Sequence, residues 1–300
     1  MADEFNPDDL EVLPSHRATV GALQVRRALP QRRRRTVGAW CFADHMGPAD
    51  VTEGSGLDIG PHPHTGLQTV TWLVDGQALH RDSLGSEQVI AAGDANVMSA
   101  GLGVAHAEEA TGHYRGTLQG IQLWIAQDDD ARHGPAAFQH LDDLPRVEVG
   151  AATATIFVGE YQGQRSRARC RAGLVGLELR SHGATDATLA LDPGFEYGVI
   201  VLEGEAQVDG TPLTAGALGY RRPGRDELGL RASAGSTIIV LGGVPLDHEI
   251  LMWWNFVART REEIDAAYDS WMADDGRFGT VTSPLERIAT TAPYWRGPRP

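Results

Sequence analysis

Apolar and polar positions alternate along most of this chain in short runs broken by glycine, the pattern of β-strands with a buried face. "HRATVGALQVRRALP", residues 16–30, predicts one strand ending in a turn at Pro30. From 60 to 126 the strands come quickly: "TGLQTVTWLVDG", "QALHRDSLG", "SEQVIAAGDANVMSAGLG", "VAHAEEA" and "GTLQGIQLWIA". Asp75-Gly76, Leu84-Gly85, Gly93-Asp94 and Gly101-Leu102-Gly103 separate them as turns. Strands this short and regular predict an all-β, antiparallel sandwich or barrel. Residues 1–15 read as a loose arm.

Residues 127–145, "QDDDARHGPAAFQHLDDLP", interrupt the alternation and predict a linker. This divides the chain into residues 1–140 and 141–300. Strands resume beyond it, from "ATATIFVGEYQG" to "STIIVLGG". The halves match loosely: "TVTWLVDGQALH…AAGDANVMSAGLG" lies against "GVIVLEGEAQV…TAGALGYRRPG", which suggests two copies of one β-unit. The period changes near the end. Thr260–Ala273 predicts a helix, with Thr260 and Glu263 at capping-box spacing. Ile264, Ala267, Tyr268, Trp271 and Met272 form its apolar face, and Asp275-Gly276 its stop.

With 300 residues and 36 glycines, the composition suits many strands joined by turns. The net charge of −14 argues against direct nucleic-acid binding, which needs a basic face. The arginine run Arg32–Arg35 is therefore read as a solvated turn or a domain contact. Cys41 and Cys170 are too few and too far apart for a disulfide framework or thiolate zinc site. The acidic start is unlike a signal peptide, and no apolar run is long enough to span a membrane. These features predict a cytoplasmic protein without membrane contact. There is no Walker loop, H-E-x-x-H or G-x-S-x-G, and "AGLGVA" lacks the third glycine of a dinucleotide site.

Chemistry concentrates in two places. "GPHPHTG" sets His62 and His64 two apart, hence on one face of a strand. "VAHAEEA" repeats the device with His106 and Glu108. Two neighbouring strands then supply two ligands each, and three imidazoles with a carboxylate suit a first-row divalent metal. Pro63, lacking an N–H, fits an edge strand or bulge. Asp44, His45, His80 and Asp82 border the motifs. They are candidates to support a ligating imidazole, with strand-end solvation as the alternative. Trp72 shares the ligand parity, though core packing is its default.

"GPHPHTGLQTVTWLVDG", "HRDSLGS", "AAGDANVMSAGLGVAHAEE", "VGAWCFADHMGP" and "REEIDAAYDSWMADDGRFG" together resemble the pirin branch of the cupin superfamily. The resemblance implies two stacked antiparallel cupin (jelly-roll) β-barrels with a C-terminal helix. It also implies one metal in the N-terminal barrel, held by His62, His64, His106 and Glu108. Iron(II) is the expected metal, with Zn, Ni, Mn, Co or Cu as alternatives. Gln68 stands where many relatives place a glutamate, which removes one pocket acid. The C-terminal repeat reads Phe195-Glu196-Tyr197 where a second H-x-H would fall, so that barrel is expected to be metal-free.

Two functions follow from the resemblance. One is a metal-dependent dioxygenase of the quercetin 2,3-dioxygenase type, acting on a small aromatic substrate such as a flavonol, with Glu108 as general base. The other is a non-catalytic, metal- or redox-sensing protein that binds a transcription factor or a metabolic enzyme. A bicupin that only binds a small ligand is a third possibility. A monomer is expected.

Overall fold

The computed structural model describes residues 10–21, 23–52 and 56–297. They are mostly antiparallel strand and divide into two compact units. One unit takes the chain up to Ala18, Val25–His45 and Leu141–Leu246; the other takes Thr19–Gln24, Met46–His140 and the chain from Asp247.

The repeat seen in the sequence is a repeat of topology. In the histidine-bearing unit a four-stranded sheet runs in the order Ile59–His64, Val104–Glu109, Gln77–Asp82, Glu87–Ala91. The other unit has the same order in Thr185–Ala190, Glu227–Ala232, Ala206–Val208, Thr211–Leu213. The larger sheets correspond too: Ala95–Ser99, Leu67–Asp75, Gly116–Ala126 in one, and Leu218–Arg221, Glu196–Glu203, Thr237–Gly243 in the other. These are two cupin domains. Each is a pair of open sheets in jelly-roll fashion rather than the closed barrel expected, because no hydrogen-bonded ladder joins the two sheets among the described residues.

Alternation along the strands builds the interior. In the unit containing Leu141–Leu246, Ile156, Leu177 and Val240 of the larger sheet meet Leu189, Val208 and Leu228 of the smaller in one core. Each is 2% exposed or less, and burying such a side chain contributes about 1.5–3 kcal/mol. The glycine turns behave as predicted: Gly76, Gly85 and Gly93 all take positive φ, near +90°.

Four local expectations are corrected. The strand predicted over 16–30 is two, His16–Val20 and Leu23–Leu29, because Gly21 turns left-handed at φ +56. The arm is not all loose: Glu11–Leu13 pairs with Leu218–Arg221, while residues 1–9 lie outside the described residues. The linker contains a short helix, Asp129–Arg132, capped by the Asp128 carboxylate, and a strand, Ala137–Leu141. Helix Arg261–Ala273 starts at the predicted cap, Thr260, but closes on Asp274 in a left-handed conformation (φ +52), before Gly276. Its buried face is Ile264, Ala267, Tyr268 and Trp271; Met272 is 41% exposed.

This helix reaches the histidine strand through the C-terminal segment. Trp271 Nε1–H donates to the Ile288 carbonyl (2.8 Å), and the Ile288 N–H donates to the Pro61 carbonyl (2.9 Å). Segment 285–288 thus straps the outer strand of the small sheet.

Candidate metal centre

Ile59–His64 is the edge strand of its sheet, where the prolines at 61 and 63 cost no interior ladder bonds. It pairs with Val104–Glu109, placing His62 opposite His106 and Val104 opposite His64. The pleat then turns all three imidazoles to one face. Their ring centroids lie 4.3–5.0 Å apart. One ligand atom from each falls within 4.8 Å of the other two, and this is the one such group of three or more His, Cys, Asp or Glu among the described residues.

Backbone carbonyls orient two of these rings. His62 Nδ1 lies 2.9 Å from the Gly60 carbonyl and His64 Nδ1 3.2 Å from the Asn255 carbonyl. A carbonyl only accepts, so each Nδ1 carries the proton and each Nε2 keeps its lone pair. Asn255 is delivered by the hairpin Leu251–Trp253/Phe256–Ala258, which is anchored beside the histidine strand where the Val257 N–H donates to the Thr65 carbonyl (3.0 Å). Trp254 at the hairpin tip sits at φ +50, a strained setting for a bulky residue.

The triad fits a divalent metal on its own chemistry. His64 Nε2 and His106 Nε2 are 3.0 Å apart. His64 Nε2 keeps its lone pair, so with His106 also unprotonated on Nε2 the two lone pairs would repel unless a positive charge lay between them. Two ligand nitrogens at ~2.1 Å from a metal and meeting at a right angle would stand about 3.0 Å apart. All three rings are also held neutral. Burial pushes His62 down to about 4 and His64 and His106 well below their usual range, and neighbouring imidazoles add to the effect. Neutral imidazole is the ligating form. Trp124 packs edge-on against His64, its ring centroid 5.2 Å away.

Glu108 lies two residues beyond His106 on the same face and is buried, but its carboxylate is not one of the clustered atoms. A register shift separates the two: His106 is opposite His62, whereas Glu108 is opposite Ile59. Its Oε1 makes only a long contact with Thr71 Oγ1 (3.5 Å), and burial pushes its carboxyl up to about 7. Gln68 donates its amide to Ser99 Oγ (2.7 Å).

The bordering residues divide. His80 and Asp82 are buried against the triad: His80 Nδ1 is 3.4 Å from His106 Nδ1, and His80 Nε2 is 3.0 Å from Asp82 Oδ2. Asp44 instead pairs with Arg27 through two bonds of 2.8 and 2.6 Å, and burial still raises its carboxyl. Burial also lowers His45, to about 4. Both belong to the other unit. Trp72 is core, 1% exposed. Arg34, from the arginine run, pairs with Glu11 (3.0 Å) and lies over the Tyr220 ring.

In the repeat, Glu196 accepts from the Gly38 N–H and the Tyr220 hydroxyl, and the Tyr197 hydroxyl accepts from the Asp192 N–H. These groups serve the fold. Asn255, Trp124, which packs edge-on against His64, and Phe138, which stacks on His80 at 4.3 Å, are the site residues that sequence reasoning missed. The only signal among them was the turn-prone Asn255 inside "WWNF".

Comparison with known proteins follows the same outline. A family model described as Pirin matches residues 22–125, and one described as Pirin C-terminal cupin domain matches 176–279. A Pseudomonas aeruginosa protein named "Putative quercetin 2,3-dioxygenase" is 45% identical over 273 residues, covering 91% of this chain and 86% of its own. A pirin-like protein of Caulobacter vibrioides is 34% identical, covering 87% and 92%. A crystal structure titled quercetin 2,3-dioxygenase, from Acinetobacter baumannii, superposes with a TM-score of 0.92 at 39% identity, covering 94% of this chain and 95% of that one.

Proposed function

The chain belongs to the pirin family, and from that premise we propose that it is a metal-dependent dioxygenase of the quercetin 2,3-dioxygenase type, with a metal held by His62, His64, His106 and Glu108. The observation that carries this reading is the buried convergence of three neutral imidazoles within 4.8 Å. The similarity to proteins whose names or titles give that activity supports the choice of reaction.

A divalent metal, iron(II) in this reading, would be held by His62, His64, His106 and Glu108 and would supply a Lewis-acid centre for the adjacent hydroxyl and carbonyl oxygens of a flavonol. The chain's own groups do the rest. The Gly60 and Asn255 carbonyls hold His62 and His64 with Nε2 facing inward. Trp124 closes one side of His64 to water. Glu108 takes the flavonol hydroxyl proton on its carboxylate, the buried acidic side chain two residues beyond His106. A cytoplasmic monomer belongs to the same reading, in keeping with two cysteines that form no disulfide. No helix among the described residues is long and apolar enough to cross a membrane.

The test is metal analysis of the purified full chain together with oxygen consumption on a panel of flavonols. One metal per chain and flavonol-dependent oxygen uptake are expected. A metal-loaded chain that consumes no oxygen with any flavonol overturns the enzyme reading. The metal- or redox-sensing reading would then stand, and the net charge of −14 favours a protein partner over nucleic acid.

A further inference from the structure

His106 differs from the other two histidines of the triad in one respect. Its outward nitrogen, Nδ1, faces the Nδ1 of His80 at 3.4 Å. An imidazole nitrogen can donate or accept, so His80 alone does not decide which way the proton lies. Asp82 does. His80 and Asp82 are two apart on strand Gln77–Asp82 and so share a face. They pair across to Glu108 and His106 respectively, which brings the His80 ring diagonally onto that of His106.

Asp82 is tightly held. Its Oδ1 accepts the N–H groups of Leu84 and Ser86, both at 2.9 Å, in the turn that "DSLGS" makes. Its Oδ2 faces His80 Nε2 at 3.0 Å. A carboxylate accepts only, so a neutral His80 carries its proton on Nε2 and presents a bare Nδ1. His106 must then place its own proton on Nδ1 and leave Nε2 free. The opposite arrangement sets a lone pair of His80 against the carboxylate and puts a proton on His106 Nε2, where it blocks the centre.

We propose that Asp82 and His80 form a positioning relay that fixes the tautomer of His106, so that its Nε2 lone pair is presented to the metal. The inference rests on the metal reading of the triad and not on the reaction assigned to it. It gives His80 a role beyond packing, although its ring also stacks on Phe138 with 13° between the planes.

Two substitutions separate the relay from packing, because they reverse its order of effects. His80→Phe keeps the ring and its stack but removes the acceptor. His80→Asn loses the stack but puts a carbonyl oxygen where Nδ1 was. The full chain is titrated with zinc against a competing chelator. The relay predicts binding about 10–100-fold weaker for His80→Phe, the range found when partners of ligating histidines are removed. It predicts His80→Asn within about threefold of the parent. Asp82→Asn keeps the oxygen that accepts from Leu84 and Ser86, turns an N–H toward His80, and should weaken zinc as His80→Phe does.

A reading that needs no variant is long-range proton–nitrogen NMR of the zinc-loaded parent, which should find His80 protonated on Nε2. Equal zinc affinity in all three variants, the reverse order of the two His80 variants, or His80 protonated on Nδ1 would each overturn the relay. Absence of turnover in the metal-loaded parent, with zinc affinities in the predicted order, would count against the dioxygenase reading alone.

Discussion

Replacing Gly60 by alanine adds one methyl group to the outer strand of the metal centre. The backbone there is not left-handed, so the cost is one of contact. The new Cβ would lie 2.0 Å from the Glu286 carbonyl oxygen and 3.2 Å from its carbon. Real Cβ atoms essentially never come within 3.0 Å, so strand and strap must part by about 1 Å. That separation stretches the 2.9 Å bond from the Ile288 N–H to the Pro61 carbonyl beyond range. The lost bond costs about 1 kcal/mol and the overpacking about 1–3 kcal/mol. The Gly60 carbonyl also orients His62, so zinc affinity should fall by about tenfold. Urea unfolding of the metal-free chain should therefore show a loss of about 2–4 kcal/mol. Gly183→Ala is the control: its Cβ would make an ordinary 3.5 Å contact with Ala151, and it should change stability by less than ~0.5 kcal/mol. If Gly60→Ala matches the control in both stability and zinc affinity, the strap does not hold the histidine strand.

Trp271→Phe removes the indole bond to the Ile288 carbonyl and should cost about 1–2 kcal/mol in the same unfolding assay, whereas Trp271→Ala opens a cavity and should cost about 3–5 kcal/mol. Glu108→Gln should leave zinc or iron bound, yet slow flavonol turnover by about 10²–10⁴-fold, because an amide cannot take the hydroxyl proton; turnover equal to the parent would remove Glu108 from that role. His45 supplies a pH test. Burial and the charge of Arg26 lower it from 6.5 to about 4 in the folded chain. The unfolded chain therefore binds the extra proton between those values, so stability is full above 6.5 and falls as pH drops to about 4. In His45→Gln the slope of stability against pH across that window should lessen by about one proton, and an unchanged slope would refute the assignment.

The repeated β-units, the glycine turns and the cap at Thr260 were legible because each is a local pattern with a local cause. The triad was legible for the same reason: H-x-H and H-x-E state a face, and one strand pairing brings the faces together. Glu108 shows where parity stops being enough. It shares the face of His106, but the register shift opposite Gly60 and Pro61 sets its position, and no spacing rule registers a bulge. Asn255 was out of reach because it lies 191 residues from the histidine it orients. His80 and Asp82 were recognised as neighbours of the motif, but their order toward His106 depends on a diagonal contact across two paired strands. Trp72 shared the ligand parity yet is core, as its default reading had it, whereas Met272 fitted the apolar face of its helix on paper and packing left it at the surface.

Anomalous diffraction at the edge of the bound metal, on crystals of the metal-loaded full chain, tests the central claim most directly. One strong peak is predicted per chain, among the Nε2 atoms of His62, His64 and His106 and within coordination distance of the Glu108 carboxylate. Nothing comparable is expected within residues 150–245, where Phe195, Glu196 and Tyr197 replace the ligand motif. A peak away from the triad, or an equal second peak in that region, would contradict the account.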